Sequence, residues 1–441
     1  MAKDRIGVVG GGLAGLSAAR ELKRLGYTVD LFERTRLLGG KATSFRVGGV
    51  EVDNGQHVFL ACCSELIDFV ASLPEVRAPD GPATWMQERF EAILLRKGSA
   101  PVRLRAAALP APLHLVPALL TNRHLSLSDR LRAGWGVMAA RLPVAPEETF
   151  ARWLDRRHQS PASRSAFWHP FLVPALNAPP EEASAESAMF VIATAFLGDH
   201  DAARFGFARV PLARFAEAAA ATLDSVRLRT PVVELDAGPG GANRRDPIAI
   251  VLGDGSRLEY EGVVLAVPPA RLRRILRGYR QYRLPDLNRF RYSPIVDVHL
   301  WYDTGALGLG FAALIDSPVQ WVFEKGPGYL CCSLSAANRH VGESSDALVV
   351  LCREELETVL PQLSSAQLLR GAATRDREAT FIPLPGLERP GPETARSGVV
   401  IAGAWTDTGW PDTMESAVRS GRAAARALAA QLDRGRRKDD G

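Results

Sequence analysis

An α/β fold of more than one domain follows from three features of the sequence. A strand–glycine loop–helix–strand unit opens the chain and a second strand–turn–helix element closes it. The 441 residues also exceed what a single simple core of roughly 150 residues holds. Hydrophobic residues make up 46% and charged residues 23%, a globular balance that excludes a disordered or fibrous chain. The 39 glycines and 30 prolines have no period, which excludes collagen-like and low-complexity readings. Lys+Arg 54 against Asp+Glu 49 leaves a formal +5. That mild, dispersed excess suits anionic ligands or an anionic membrane surface and does not indicate nucleic acid.

The opening element is read in chain order. MAKDR passes straight into a strand with no charged-then-apolar leader, so a cytoplasmic protein is expected. Residues 5–9 (RIGVV) form a buried strand and run into Gly10-Gly11-Gly12-Leu13-Ala14-Gly15, a GxGxxG match. Leu13, Leu16, Ala19, Leu22 and Leu25 then recur at helical spacing until Gly26, and residues 27–33 (YTVDLFE) return as a strand ending in an acid. In a Rossmann-like βαβ unit, Gly10 permits the tight turn, Gly12 lets the backbone approach a pyrophosphate, and Gly15 lets the helix pack on the strand. The amides that open the helix, at the positive end of its dipole, hold phosphates. Glu33 stands where an acid accepts hydrogen bonds from a ribose diol and repels a 2′-phosphate, so a tightly held NADP is not expected.

A few residues on, Arg34 leads to Gly39-Gly40-Lys41, a second close backbone approach followed by a cation. The run ERTRLLGGKATSF resembles the ExRxxxGG element of flavin-dependent amine oxidases and carotenoid-type desaturases, with Lys41 in place of the usual arginine. Three further segments are similar to the hydroxysqualene dehydroxylase family: DNGQHV at 53–58, FWHPFLVPALNAPPEEASA at 167–185, and the closing run VVIAGAWTDTG with Pro411, Glu415 and Ser420-Gly421-Arg422. The resemblance implies FAD, held by Gly10, Gly12, Leu13, Ala14, Gly15, Glu33, Arg34, Gly40 and Lys41. It adds Gly55, Gln56 and His57, then Val232 in RTPVVEL, and Gly403 and Met414 at the end. Two departures stand out: Ala404 replaces an acid usual after the AG, and Ser416 replaces a glycine.

The resemblance also implies the amine-oxidase/desaturase type of architecture, a discontinuous Rossmann-like FAD-binding domain with an α+β substrate domain. The FAD domain is expected over 1–73, 209–276 and 398–432, the substrate domain over 74–208 and 277–397, and a charged, frayed tail over 433–441. Local signals support the middle piece: a helix at 211–223, a strand at 226–235, an exposed hairpin loop at 237–247, strands at 248–252 and 257–260, and a buried strand at 262–267. Helices are expected within 74–208, and a sheet at 295–302 and 319–323. Five cysteines without CxxC spacing read as free thiols in a reducing compartment, with no metal site. The apolar stretch 106–122 is broken by Pro110, Pro112 and Pro117 and flanked by arginines. It is too short and too interrupted to span a bilayer; it reads as an ordinary connector, a segment dipping into a membrane surface, or the lining of an apolar channel.

For activity, the resemblance implies reductive removal of the hydroxyl of hydroxysqualene to give squalene, with a C30 isoprenoid as partner and peripheral contact with the inner face of the cell membrane. An allylic C–OH leaves as water once protonated, and the delocalised cation accepts a hydride from reduced flavin. The acid is sought among Asp407, His57 and Asp53. Each has a structural alternative: a helix cap for Asp407, support of a turn or of the cofactor for the other two. His169, Trp85, Trp168, Trp301 and Trp321 read as core residues or channel lining. Two other functions stay open, an FAD-dependent polyene desaturase or amine oxidase, and a non-catalytic lipid escort on the same fold.

Overall fold

The computed structural model describes residues 4–73, 76–236 and 247–439. Short, largely apolar runs form a five-stranded parallel sheet, its edge strand Ser-Val-Arg excepted, in the order Ser225–Arg227, Thr28–Phe32, Arg5–Val9, Gly262–Leu265, Val399–Ile401. These strands come from three distant parts of the chain. Parallel strands buried on both faces require layers on each side. On one side lie helix Leu13–Arg24 and the closing helix Met414–Asp439. On the other lies the antiparallel sheet Val232–Asp236, Ile248–Leu252, Arg257–Tyr260. Asp30 ties the second layer down, accepting from Tyr260 Oη at 2.8 Å and from Arg5 Nη2 at 2.7 Å.

The segment expected as one strand over 226–235 is instead two strands in two sheets. Arg229 adopts φ +53° and Pro231 offers no amide donor, so the chain leaves the edge of the parallel sheet and re-pairs in the antiparallel one. The hairpin loop expected at 237–247 lies outside the described residues except for Pro247. The closing helix continues through the charged tail to Asp439 where fraying was expected.

A seven-stranded sheet forms the second body, in the order Val102–Arg105, Glu91–Leu95, Phe311–Leu314, Trp321–Gly326, Tyr329–Leu334, Tyr292–Tyr302, Leu368–Phe381. Two of its strands thus fall in the region expected to be helical; helices such as His169–Leu176 and Ala185–Phe196 fill much of the rest. The long strand Tyr292–Tyr302 alternates. Val296, Val298 and Leu300 pack against Leu348, Cys352 and Leu356 of helix Ser345–Val359, which turns Ile295, Asp297 and His299 to the opposite face. That face covers the first body. Trp168 and Trp321 are core residues, Trp168 donating to Gln159 and Trp321 to the Pro170 carbonyl. The five cysteines are free thiols.

The first and last helices touch backbone to backbone. A Cβ at Gly421 would overlap the Ala14 carbonyl oxygen and lie 2.9 Å from the Ala18 amide nitrogen. Beside it Ser17 Oγ donates to the Val418 carbonyl at 3.0 Å. Gly421→Ala is therefore expected to push the helices apart at a cost of about 1–3 kcal/mol, read as a lowered melting temperature. An unchanged melting temperature would show that the helices are not held this closely.

Candidate active site

Two glycine loops make the floor of the site. Gly10, with φ +110°, ends the first strand, and a Cβ at Gly15 would overlap its carbonyl oxygen, so Gly15 lies packed beneath the loop. Gly12 opens the first helix, which has no side-chain cap and no acid in its first turn, leaving its leading amides available to an anion. The second loop hydrogen-bonds to the first, Gly39 N–H donating to Gly11 O at 2.8 Å, with Gly12 and Gly39 bridged as in a parallel pair. A Cβ at Gly12 would meet only the Gly40 Cα, at 3.9 Å. Bare backbone thus faces a cavity of about 980 Å³.

That cavity runs from the glycine loops to the seven-stranded sheet. Gly10, Gly12, Leu13, Ala14, Glu33, Arg34, Gly40 and Lys41 line its floor. Gly55, Gln56, His57, Val232, Gly403 and Met414 border it farther along, while Gly15 does not reach it. Glu33 accepts from Gly11 N–H at 2.9 Å and Thr35 N–H at 2.8 Å. A carboxylate accepts about four hydrogen bonds, so capacity for a diol remains. Lys41 Nζ sits 5.1 Å over the Tyr292 ring and 3.9 Å from Asp412. The Val232 carbonyl already accepts from Arg271 at 2.7 Å. Trp405 lies against Gly403, where a Cβ would overlap its indole, and donates to Val267 O at 3.0 Å. Ser416 donates to the Ala404 carbonyl at 3.0 Å, joining the two departures from the family pattern in one contact. Glu415 is fully buried; it accepts from the Leu66 amide at 2.7 Å and from Arg419 Nε at 2.6 Å. It thereby clamps the closing helix to helix Ser64–Ala71.

The three acids sought from sequence are not brought together on the cavity. Asp407 is exposed and outside the lining, accepting from Gly409 N–H at 3.3 Å; Thr413, not Asp407, accepts from the Ser416 amide at the helix start. Asp53 also lies outside the lining. Its Oδ1 accepts from Ser44 Oγ at 2.7 Å and Leu212 N–H at 3.0 Å, and Lys325 Nζ is 4.0 Å from Oδ2. His57 does line the cavity, donating from Nε2 to Asn54 O at 3.0 Å, and burial lowers its pKa so that the ring is neutral at neutral pH.

A fourth acid was overlooked. Asp297 lines the cavity from the roof strand, is 2% exposed, and its Oδ1 has no hydrogen-bond partner among the described residues. Burial pushes its pKa up to about 6, against the opposing pull of Ser333, the Gln56 backbone and Lys325. The signal was present in IVDVHLWY, where a carboxylate interrupts an apolar strand on the face away from Val296 and Val298.

Apolar walls complete the site. Phe190 and Trp410 meet edge-to-face at 5.3 Å on the lining. Val58 and Leu60 on the lining pack against Phe205, Trp321 and Phe323. A second chamber of about 430 Å³, walled by Leu66, Phe69, Val70 and Phe215, shares Leu13, His57, Phe59 and Met414 with the first.

Comparison with known proteins agrees with this geometry. The model of the flavin containing amine oxidoreductase family matches residues 13–429. The chain is 30% identical to a hydroxysqualene dehydroxylase of Rhodopseudomonas palustris, over 95% of this chain and 96% of that one. It is 23% identical to a 15-cis-phytoene desaturase of Synechococcus elongatus, over 99% of this chain and 98% of that one. In structure it is similar to cyclohexylamine oxidase from Brevibacterium oxydans, with a TM-score of 0.72 and 18% identity over 98% and 100% of the two chains. The side-chain-free cradle, the uncapped helix start and the acid beside them fit FAD. An FAD-dependent oxidoreductase of amine-oxidase fold, this chain belongs to the flavin containing amine oxidoreductase family.

Proposed function

We propose that this protein removes the hydroxyl of hydroxysqualene reductively, giving squalene and water. The observation that carries this reading is the similarity to a hydroxysqualene dehydroxylase along almost the whole chain. In this reading the amides of Gly12, Leu13 and Ala14, with the backbone at Gly40, hold the FAD diphosphate, and Glu33 holds the ribose. Val232 borders the adenine end, and Gly55, Gln56, His57, Gly403 and Met414 border the ring end. Reduced FAD, when bound, supplies a hydride. The walls at Phe59, Phe190 and Trp410 take the hydrocarbon chains and exclude the water that would recapture an allylic cation. The similarity to a phytoene desaturase favours a second reading, oxidative desaturation of a polyene on the same site.

A C30 hydrocarbon alcohol resides in a bilayer, and the surface suits collection from one. Leu127, Leu131 and Trp135 are 64%, 65% and 67% exposed and recur at helical spacing on Leu127–Ala139, continued by Met138 and Leu142. Helix Val116–Thr121 packs beside it, and Leu113, Val116 and Leu120 add to the exposed apolar face; exposed Arg123, Arg132 and Arg141 flank it. Contiguous apolar exposure rimmed by cations fits an anionic lipid surface. Among the described residues no helix is long and apolar enough to cross a membrane.

Three outcomes are expected. Anaerobically reduced, flavin-loaded protein converts hydroxysqualene to squalene in a single-turnover assay, whereas conversion of phytoene by the oxidised protein would favour the second reading. Gly12→Val places a side chain in the cavity instead of the core, so the purified variant loses its flavin absorbance while its flavin-free melting temperature matches that of wild type. Co-sedimentation with phosphatidylglycerol vesicles falls by at least about tenfold in Leu131→Glu/Trp135→Glu, and raised salt weakens wild-type binding.

A further inference from the structure

Resting on the dehydroxylase reading, we propose that Asp297 is the catalytic acid, its carboxyl proton passing to the departing hydroxyl of the substrate. It lines the cavity from the middle of strand Tyr292–Tyr302, paired with Ser333 on one side and Thr374 on the other. The opposite wall comes close to it. A Cβ at Gly55 would lie 3.3 Å from Asp297 Oδ2 and 3.9 Å from His57 Nε2, so only a glycine backbone stands between the carboxyl and His57 there. Oδ1 is unpartnered and itself buried, so the oxygen nearest the Gly55 wall, Oδ2, is the one that meets a substrate. Asp53, by contrast, has Oδ1 committed to Ser44 and the Leu212 amide.

The surroundings favour the protonated form. Lys325 is the cation that opposes it, and that ammonium is shared with Gln56 Oε1 at 2.9 Å and with Asp53 at 4.0 Å. Asp376 on the neighbouring strand adds repulsion. His57 across the cavity and His299 on the same strand face are both neutral at neutral pH, His299 pushed down to about 4 by burial. Cys331 and Tyr329 on the adjoining strand stay protonated, their pKa values raised by burial. In the step itself the O–H bond of Asp297 breaks as its proton reaches the hydroxyl oxygen. The C–O electron pair leaves with that oxygen as water; reduced FAD, when bound, would supply the hydride that the allylic carbon then needs. Asp297 remains as carboxylate and regains a proton from solvent. The same interior that raises its pKa makes it a usable donor near pH 6.

The test is Asp297→Asn, nearly isosteric, in the full flavin-loaded chain. With flavin content unchanged, kcat is expected to fall by about 10²–10⁴-fold with little change in KM, and Asp297→Glu to restore part of it. Wild-type kcat/KM falls as pH rises through about 6, because the protonated form is the active one; the variant loses that limb. An infrared pH-difference spectrum without substrate should show a carboxylic acid band that titrates near pH 6 and is absent from the variant. A variant with wild-type kcat and pH profile overturns the assignment, as does the lack of such a band in wild type. Flavin-loaded wild type that leaves hydroxysqualene untouched overturns the underlying reading instead, a result distinct from an active wild type with an indifferent variant.

Discussion

The structure depends on backbone meeting backbone where no side chain can stand. Gly11 and Gly39 join two loops through a single hydrogen bond, and Gly12 faces Gly40 across a gap that a Cβ on either would narrow. This contact places the uncapped start of the first helix at the edge of the cavity. A second such contact, at Gly421, lets the last helix lie close on the first. A chain segment almost four hundred residues away in sequence thus becomes part of the same floor, and Glu415 fixes its register by accepting amides of a third helix.

The roof obeys a different rule. In the long strand over the cavity, alternation separates hydrocarbon packed on helix Ser345–Val359 from groups turned inward. Burial on that inner face is what gives a carboxylate unusual chemistry, because the interior disfavours its charge and no nearby donor fully compensates Oδ1 of Asp297. The glycine-loop floor and this acid border one cavity that aromatic side chains also line. Such a lining suits a reaction in which charge develops briefly on an otherwise apolar molecule.

Much of this was legible residue by residue. The first βαβ unit, the second glycine pair and the closing strand–turn–helix are local patterns whose geometry follows from steric and hydrogen-bonding rules within about thirty residues. Their named residues line the cavity, apart from Gly15, which lies packed beneath the loop. The strand over 226–235 was misread because apolar character continues across Thr230-Pro231 while the hydrogen-bonding partner changes.

By itself, the sequence determined the glycine-loop floor and the alternation of the roof strand, since each depends on near neighbours in the chain. Tertiary structure alone decided which acids meet the cavity. Asp53 and Asp407, prominent in motifs, are committed to turns and to other segments, whereas Asp297, within an apolar strand, lines the cavity beside acids such as Asp376 and Asp412 and has no hydrogen-bond partner on Oδ1 among the described residues. The local pattern marks a carboxylate on the second face of that strand, but what the face borders arises from elements separated by hundreds of residues.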